Sequence, residues 1–312
     1  VSVVNSQIKG VALITAMLVT SLVSLIALNL AARQQFDLRR TSNILDYDQC
    51  LLYSLGMEAW AGQILIRDAK QSAVDHLAEI WAMRIPALPV DGGELIGELV
   101  DQQGLYNINN LLNGAMIDPV ELQRFQRLLT FLQLPIELTN AIADWIDPDQ
   151  ELRFPDGAED QEYLLMQPPY RAANASLRSV SELRLIKGIT PEIYRRIAPF
   201  VTALPERTPV NVNTAPPLVI LVLAPDLQLR DAEALIEGRG SEGYRDLQRF
   251  SSQAPLAGRN TELTQGAGIS VASRWFLAHG RANIGRLSVE FYSLLLRNSG
   301  RVTTVRRSQQ AW

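Results

Sequence analysis

The sequence predicts an α+β chain, in which a long N-terminal helix packs on a small antiparallel sheet and a large all-α domain is inserted in that sheet. Three observations carry this expectation. Val11 to Ala32 is an uncharged run, and neither Pro nor Gly occurs between Val11 and Ser54, so nothing in the composition stops a helix there. Strand-like segments lie on both sides of a central stretch, at residues 94–109 and again from residue 274 onward. Between them, about 160 residues show mostly helical apolar spacing, with Pro and Gly punctuation and few strand signals. The divisions are then 1–10 ahead of the helix, 11–72 as the stem, 73–111 and 269–312 as the α/β core, and 112–268 as the inserted helical domain.

The uncharged run 11–32 is long enough to cross a membrane, since at 1.5 Å per residue it spans about 33 Å against a hydrocarbon core of roughly 30 Å. Arg33, Arg39 and Arg40 end it. The helical pattern continues to about Lys70, which makes one helix of about 90 Å. Leu45, Leu52, Leu55, Ala59 and Ile66 recur at helical spacing, with Trp60 and Ile64 beside them, so one side of this half is expected to be buried on a globular domain. Cys50 falls within the same pattern and is the only cysteine, which excludes an intrachain disulfide and points to a buried apolar role.

Glu94 to Asp101, the turn Gln102-Gln103-Gly104 and Leu105 to Asn109 read as a β-hairpin. Arg274 to Gly280, Arg286 to Leu296 and Val302 to Arg307 read as three more strands. The net charge of −4 and pI near 5.4 give no electrostatic reason to expect nucleic-acid binding. No Gly-x-Ser-x-Gly elbow, phosphate-binding Gly-Lys-Ser/Thr loop or His-Glu-x-x-His is present, and the two histidines, His76 and His279, have no catalytic partners in the pattern. The chain is expected not to be an enzyme.

From Ala141 to Leu165 the acids are Asp144, Asp147, Asp149, Glu151, Asp156, Glu159, Asp160 and Glu162, against the single base Arg153. Repulsion on that scale disfavours an ordered loop unless a cation or solvent screens it. Ca²⁺, which accepts oxygen ligands in flexible geometry, suits such a loop better than Mg²⁺. Asp147-x-Asp149-x-Glu151 is like the start of an EF-hand loop, but the Gly at the sixth place and the terminal Glu are missing. Charge alone leaves both a solvated loop and a Ca²⁺ site open.

Ser6-Gln7-Ile8-Lys9-Gly10 stands immediately before the apolar run, whereas a conventional secretory signal is cut beyond its apolar segment. This arrangement resembles the leader of type IV pilin-like precursors. The resemblance implies cutting by a prepilin peptidase after Gly10, a mature start at Val11 and retention of the helix. A positive-inside count, with Lys9 before the span and three Arg after it, would place the C-terminal domain in the cytoplasm. The leader overrules that count, because prepilin peptidase substrates are cut on the cytoplasmic face.

The match becomes specific along the rest of the chain. Val11 to Thr15, Asp101 to Leu111, Asp144-Trp145-Ile146-Asp147, Gly157-Ala158-Glu159-Asp160 and Leu204 to Ala215 resemble, in order, the K-class minor pseudopilins of bacterial type II secretion systems. The resemblance implies a pilin-like fold in the bacterial inner membrane, crossing once, with the C-terminal domain in the periplasm. It also implies I-class and J-class minor pseudopilins as partners in a heterotrimer, a place at the tip of the major pseudopilin filament, and Ca²⁺ in the helical lobe. The candidate ligands are Asp147, Asp149, Glu159 and Asp160, followed by Glu151 and Asp156. Thr15 stands where most pilin-like subunits carry a Glu that neutralises the N-terminal amine of an adjacent subunit. That suits a subunit with nothing assembled above it.

Val210 to Ala215 with Ala232 to Arg239, and Leu183 to Thr190, resemble helix-hairpin-helix modules of DNA-uptake proteins. Ala224-Pro225-Asp226-Leu227 stands where the second hairpin would need Gly residues, and an Asp facing a phosphate repels it. These helices are therefore expected to be a packing scaffold, with no nucleic acid as partner.

Overall fold

The computed structural model describes residues 4–309, and within them the side chains other than those of 4–10, 85, 260 and 261. One helix, α1, runs unbroken over 68 residues from Val4 to Gln71. Residues 1–3 of the expected leader lie outside the described residues, and Gly10 is covered only as helical backbone. The segment from Val11 to Ala32 is exposed along its whole length, and α1 is long and apolar enough there to cross a membrane.

The distal half of α1 lies on a five-stranded antiparallel sheet whose spatial order follows the chain: β1 (Ile85–Val90), β2 (Gly93–Asp101), β3 (Trp275–Ile284), β4 (Leu287–Asn298) and β5 (Arg301–Gln309). The three C-terminal strands occupy the expected segments. β2 ends and β3 begins side by side, with Asp101 opposite Phe276, and everything between them forms a second lobe. The lobe is thus an insertion between neighbouring strands, and the sheet closes its hydrogen-bond ladder regardless of what the insertion contains.

Two layers of side chains join stem to sheet. Ala61 and Leu65 of α1 pack with Trp81, Leu99, Phe276, Ala278 and Leu295, and nearer the exposed apolar segment of α1 Cys50 packs with Leu95, Ala282 and Ile284. Between these layers two glycines face each other across β2 and β3, Gly97 opposite Gly280. A Cβ on Gly97 would stand 2.2 Å from Met57 Cε, and one on Gly280 would stand 2.1 Å from the ring of Phe291. The missing side chains are what let Met57 of the stem and Phe291 of β4 lie over the sheet.

Two expectations are corrected. The partner of β2 is not 105–109 but β1, joined to it through Asp91-Gly92, where Gly92 has φ +83°. Pro86 and Pro89 hid β1 as a strand, yet β1 is an edge strand with a register shift, where a missing N–H is tolerated. Gln102-Gln103-Gly104 instead leads into the lobe, where Tyr106 and Asn107 pair in parallel with Val201 and Thr202. Tyr106, Ile108 and Leu111 belong to the lobe's core, as does Ile269, so the lobe begins nearer Asp101 and ends nearer Ser273 than the expected 112–268.

The second correction concerns the stem. Leu45, Leu52 and Leu55 are 61%, 69% and 41% exposed, and Ala59 is exposed too. The buried face is Cys50, Ser54, Ala61 and Leu65, with Tyr53, Met57 and Ile64 half-buried. Both faces are apolar at helical spacing. Periodicity finds a stripe but does not say which of two stripes meets the chain's own sheet.

A candidate cation site in the helical lobe

The lobe's core is continuous from α2 (Pro119–Phe131) and α3 (Leu138–Ile146) through the later helices. α3 presents Leu138, Ile142, Trp145 and Ile146 to that core, and Trp145 meets Tyr163 edge-on at 5.0 Å between ring centroids. Asp144 lies in the last turn and Asp147 caps the helix, so the spacing of three puts both carboxyls on one side of its C-terminal end. Both are buried. The helix dipole does not favour anions at that end, so other groups must hold them.

The following loop folds back to do so. Arg153 N and Ala158 N donate to Asp144 Oδ2 at 3.1 and 2.9 Å, and Arg153 Nη2 donates to Asp147 Oδ2 at 2.8 Å. Gly157 passes so close that a Cβ there would sit 2.2 Å from Asp144 Oδ2 and 2.3 Å from the Arg153 carbonyl oxygen. Only a residue without a side chain lets the loop make this return. Asn140 Nδ2 and Lys187 Nζ hold it from outside by donating to the carbonyls of Pro155 and Gly157.

The loop then delivers Glu159, 4% exposed, at the start of α4 (Asp160–Tyr163). One carboxylate oxygen each of Asp147, Asp149 and Glu159 converge to within 4.8 Å of one another. Asp144 Oδ1, Asp147 Oδ1 and both oxygens of Glu159 are buried without a hydrogen-bond partner. Buried carboxylate oxygens left unpaired are costly, and a hard cation with oxygen ligands would satisfy them. Burial, and then the charges of Asp144, Asp147, Asp149 and Asp160, push the Glu159 carboxyl up to about 7. Burial likewise pushes Asp144 up to about 6 against the hydrogen bonds it accepts, and raises Asp147.

Of the six candidate ligands, Asp147, Asp149 and Glu159 are thus brought together. Asp160 turns away, accepting from Ala172 N at 3.0 Å with Arg171 3.8 Å off. Glu151 and Asp156 stay on the surface, Asp156 at φ +61°. Asp144 was not among the candidates. The signal for it was the pair of acids three apart at the end of an apolar helix.

Outside this site, Thr15 Oγ1 bonds back to the carbonyls of Val11 and Ala12 in its own helix. Asp226 sits exposed at φ +60° in the turn between the helices Pro217–Val222 and Leu229–Glu237, flanked by buried Ala224 and Leu227. His279 stacks on Tyr292 with Nδ1 3.3 Å from Glu98, and His76 receives Ala78 N.

Two family models match, both described as type II secretion system (T2SS), protein K, one over residues 104–206 and the other over 210–272. The chain is 38% identical to the type II secretion system protein K of Pseudomonas aeruginosa, covering 89% of this chain and 85% of that one. It is 32% identical to the protein of the same description from Aeromonas hydrophila, covering 92% of both. Among solved structures, the crystal structure of the GspK-GspI-GspJ complex of enterotoxigenic Escherichia coli holds a chain that superposes with a TM-score of 0.80 at 27% identity, covering 88% of this chain and 100% of that one.

Proposed function

Because the chain belongs to the type II secretion system protein K family, we propose that it is a minor pseudopilin that caps the tip of the periplasmic pseudopilus and supports protein export across the outer membrane. It is an assembly subunit in this reading, not an enzyme. Its helix is anchored in the inner membrane over residues 11–32, with the sheet and lobe in the periplasm. Cutting after Gly10 leaves Val11 first, which N-terminal sequencing of the membrane-borne protein reads directly.

The observation that carries the reading is the exposed stripe Leu45, Leu52, Leu55 and Ala59. Its steps of seven, three and four are those of a helix seam, and it continues the apolar surface of the membrane segment. The relative of known structure was solved with GspI and GspJ, and in this reading the I- and J-class minor pseudopilins are the partners that cover this face. Replacing Leu52 and Leu55 together by Asp is expected to weaken co-purification of the full-length chain with those two proteins by at least roughly tenfold, since two buried charges would face the seam. Unchanged recovery would remove the stripe from the interface.

The capping role rests on width and on Thr15. In this reading the lobe inserted between β2 and β3 is too broad to repeat along a thin filament, and Thr15 supplies no carboxylate for an incoming amine. Filaments in cells overproducing the major pseudopilin are expected to be shorter with this chain than without it. A chain lacking the lobe but keeping the sheet should lose that limit. Equal lengths with and without the intact chain would overturn the capping role.

The carboxylate site of the lobe is read as a Ca²⁺ site, with Asp147, Asp149 and Glu159 as ligands and Asp144 beside them. Bound there, the ion would tie the end of α3 to the start of α4.

A further inference from the structure

The carboxylate site contains a cation of its own. Arg153 Nη2 bonds Asp147 Oδ2 at 2.8 Å, and its Nε stands 3.3 Å from Asp144 Oδ1 without either atom being hydrogen-bonded. Both carboxylates are closed to solvent, while the Arg153 side chain is 34% exposed. The guanidinium therefore reaches in from the surface and has a way out, whereas the carboxylates do not.

Its position conflicts with a metal in the same place. A guanidinium only donates, and a divalent cation needs the lone pairs to which it donates. Asp147 is the point of conflict, because its Oδ2 pairs with Arg153 and it also contributes an oxygen to the converging group, so a divalent cation there would stand beside the positive guanidinium. Nor does Arg153 neutralise the site: Asp144, Asp147, Asp149 and Glu159 set four carboxyls against it, and both Glu159 oxygens remain unpartnered. The flanking chain is open to solvent, with Leu152 and Phe154 53% and 92% exposed. The Arg153 backbone N stays on Asp144 Oδ2 at 3.1 Å, so a swing of the side chain leaves the loop anchored.

We propose that Arg153 is a built-in competitor, an internal counter-ion that holds Asp144 and Asp147 when no divalent cation is bound and is expelled to solvent when one binds. The proposal rests on the reading of this cluster as a cation site. Its consequence is a threshold: the site fills only when free cation outcompetes a tethered guanidinium, so the lobe keeps one set of partners at low cation and exchanges it for another at high cation.

The test is calorimetric titration with Ca²⁺ of the full-length chain in detergent, first stripped with a chelator. Arg153→Gln is expected to bind Ca²⁺ roughly tenfold or more tightly than the unaltered chain, the size expected for loss of one close ion pair. Lys187→Gln is the control, because its ammonium bonds the Gly157 carbonyl rather than a carboxylate and so reports only the general field. It should stay within about twofold of the unaltered chain. Arg153→Lys keeps the charge but loses the fork, and should fall between; if Arg153→Gln does not fold, this variant decides. Binding by the unaltered chain with equal or weaker binding by the Arg153 variant overturns the competitor and leaves the site standing. An equal gain in Lys187→Gln also overturns it. Absence of binding in every protein overturns the cation site and the competitor together.

Discussion

Replacing Arg297 by Ala is expected to destabilise the chain by about 3–5 kcal/mol, the range for removing one partner of a buried ion pair. Arg297 lies on β4 at the point where stem, sheet and lobe meet. Its Nη2 reaches both oxygens of Asp75, at 2.5 and 2.6 Å, and the Ser273 carbonyl at 2.8 Å, while its Nη1 reaches Asp68 at 2.8 Å near the end of α1. The guanidinium also stacks 4.8 Å over the ring of Phe276. Asp75 is 2% exposed in its side chain, so without Arg297 it has no route to water.

The loss carries a pH signature. Burial, and then the charges of Glu79 and Asp75, already push Asp68 up to about 6, and burial raises Asp75 despite Arg297. Folding thus favours the protonated carboxyls, so the native state holds more protons than the unfolded chain across the window from the ordinary value of 3.8 to about 6 for Asp68, and stability falls as pH rises through it. Removing the guanidinium lifts these carboxyls further. The variant should therefore lose more stability at pH 8 than at pH 5. Chemical unfolding of the full-length chain in detergent at both values measures this, and a loss below about 1 kcal/mol would mean that the junction is held elsewhere.

Asp101 shows why the junction was not legible in the sequence. It accepts from Ser273 Oγ and Thr214 Oγ1, both at 2.6 Å, from Asn211 Nδ2 at 3.0 Å and from Gln103 N at 2.8 Å. These partners lie more than a hundred residues away, apart from Gln103, and nothing in their spacing announces a shared carboxylate. The stem, the inserted lobe and the three C-terminal strands were legible because each rests on a local pattern of charge, apolar spacing or turn residues. β1 was missed because proline argues against strands in general but not against edges. The stem's buried face was misassigned because two apolar stripes share one helix. At the candidate site, composition placed the acids in one loop but could not say which carboxyls turn inward. Asp160 caps a distant amide and Asp144 points in, and that choice is made by Gly157 and by the backbone amides of Arg153 and Ala158.

Ca²⁺ at about 100 times the Kd it has at pH 8 is expected to add about 2.7 kcal/mol to the stability of the lobe at that pH, and far less at the same concentration at pH 5. The sign follows from Glu159. Its folded carboxyl titrates at about 7 against an ordinary 4.5, so without a cation the lobe is most stable when Glu159 is protonated and loses stability as pH rises from about 4.5 through 7. Asp144, pushed to about 6, adds in the same direction. A cation reverses the preference, because it binds the ionised carboxylates and must displace their protons. Chelated protein should therefore unfold more easily at pH 8 than at pH 5, and the gain on adding Ca²⁺ should grow across the same interval. Glu159→Gln removes the charge that drives both trends: the chelated lobe should lose most of its pH dependence and the response to Ca²⁺ should shrink. Hydrogen exchange of the amides from Trp145 to Tyr163 reads the lobe separately from the stem. Superimposable protection with Ca²⁺ and with chelator at pH 8 would mean that no cation is held there and that Arg153 alone offsets the buried carboxylates.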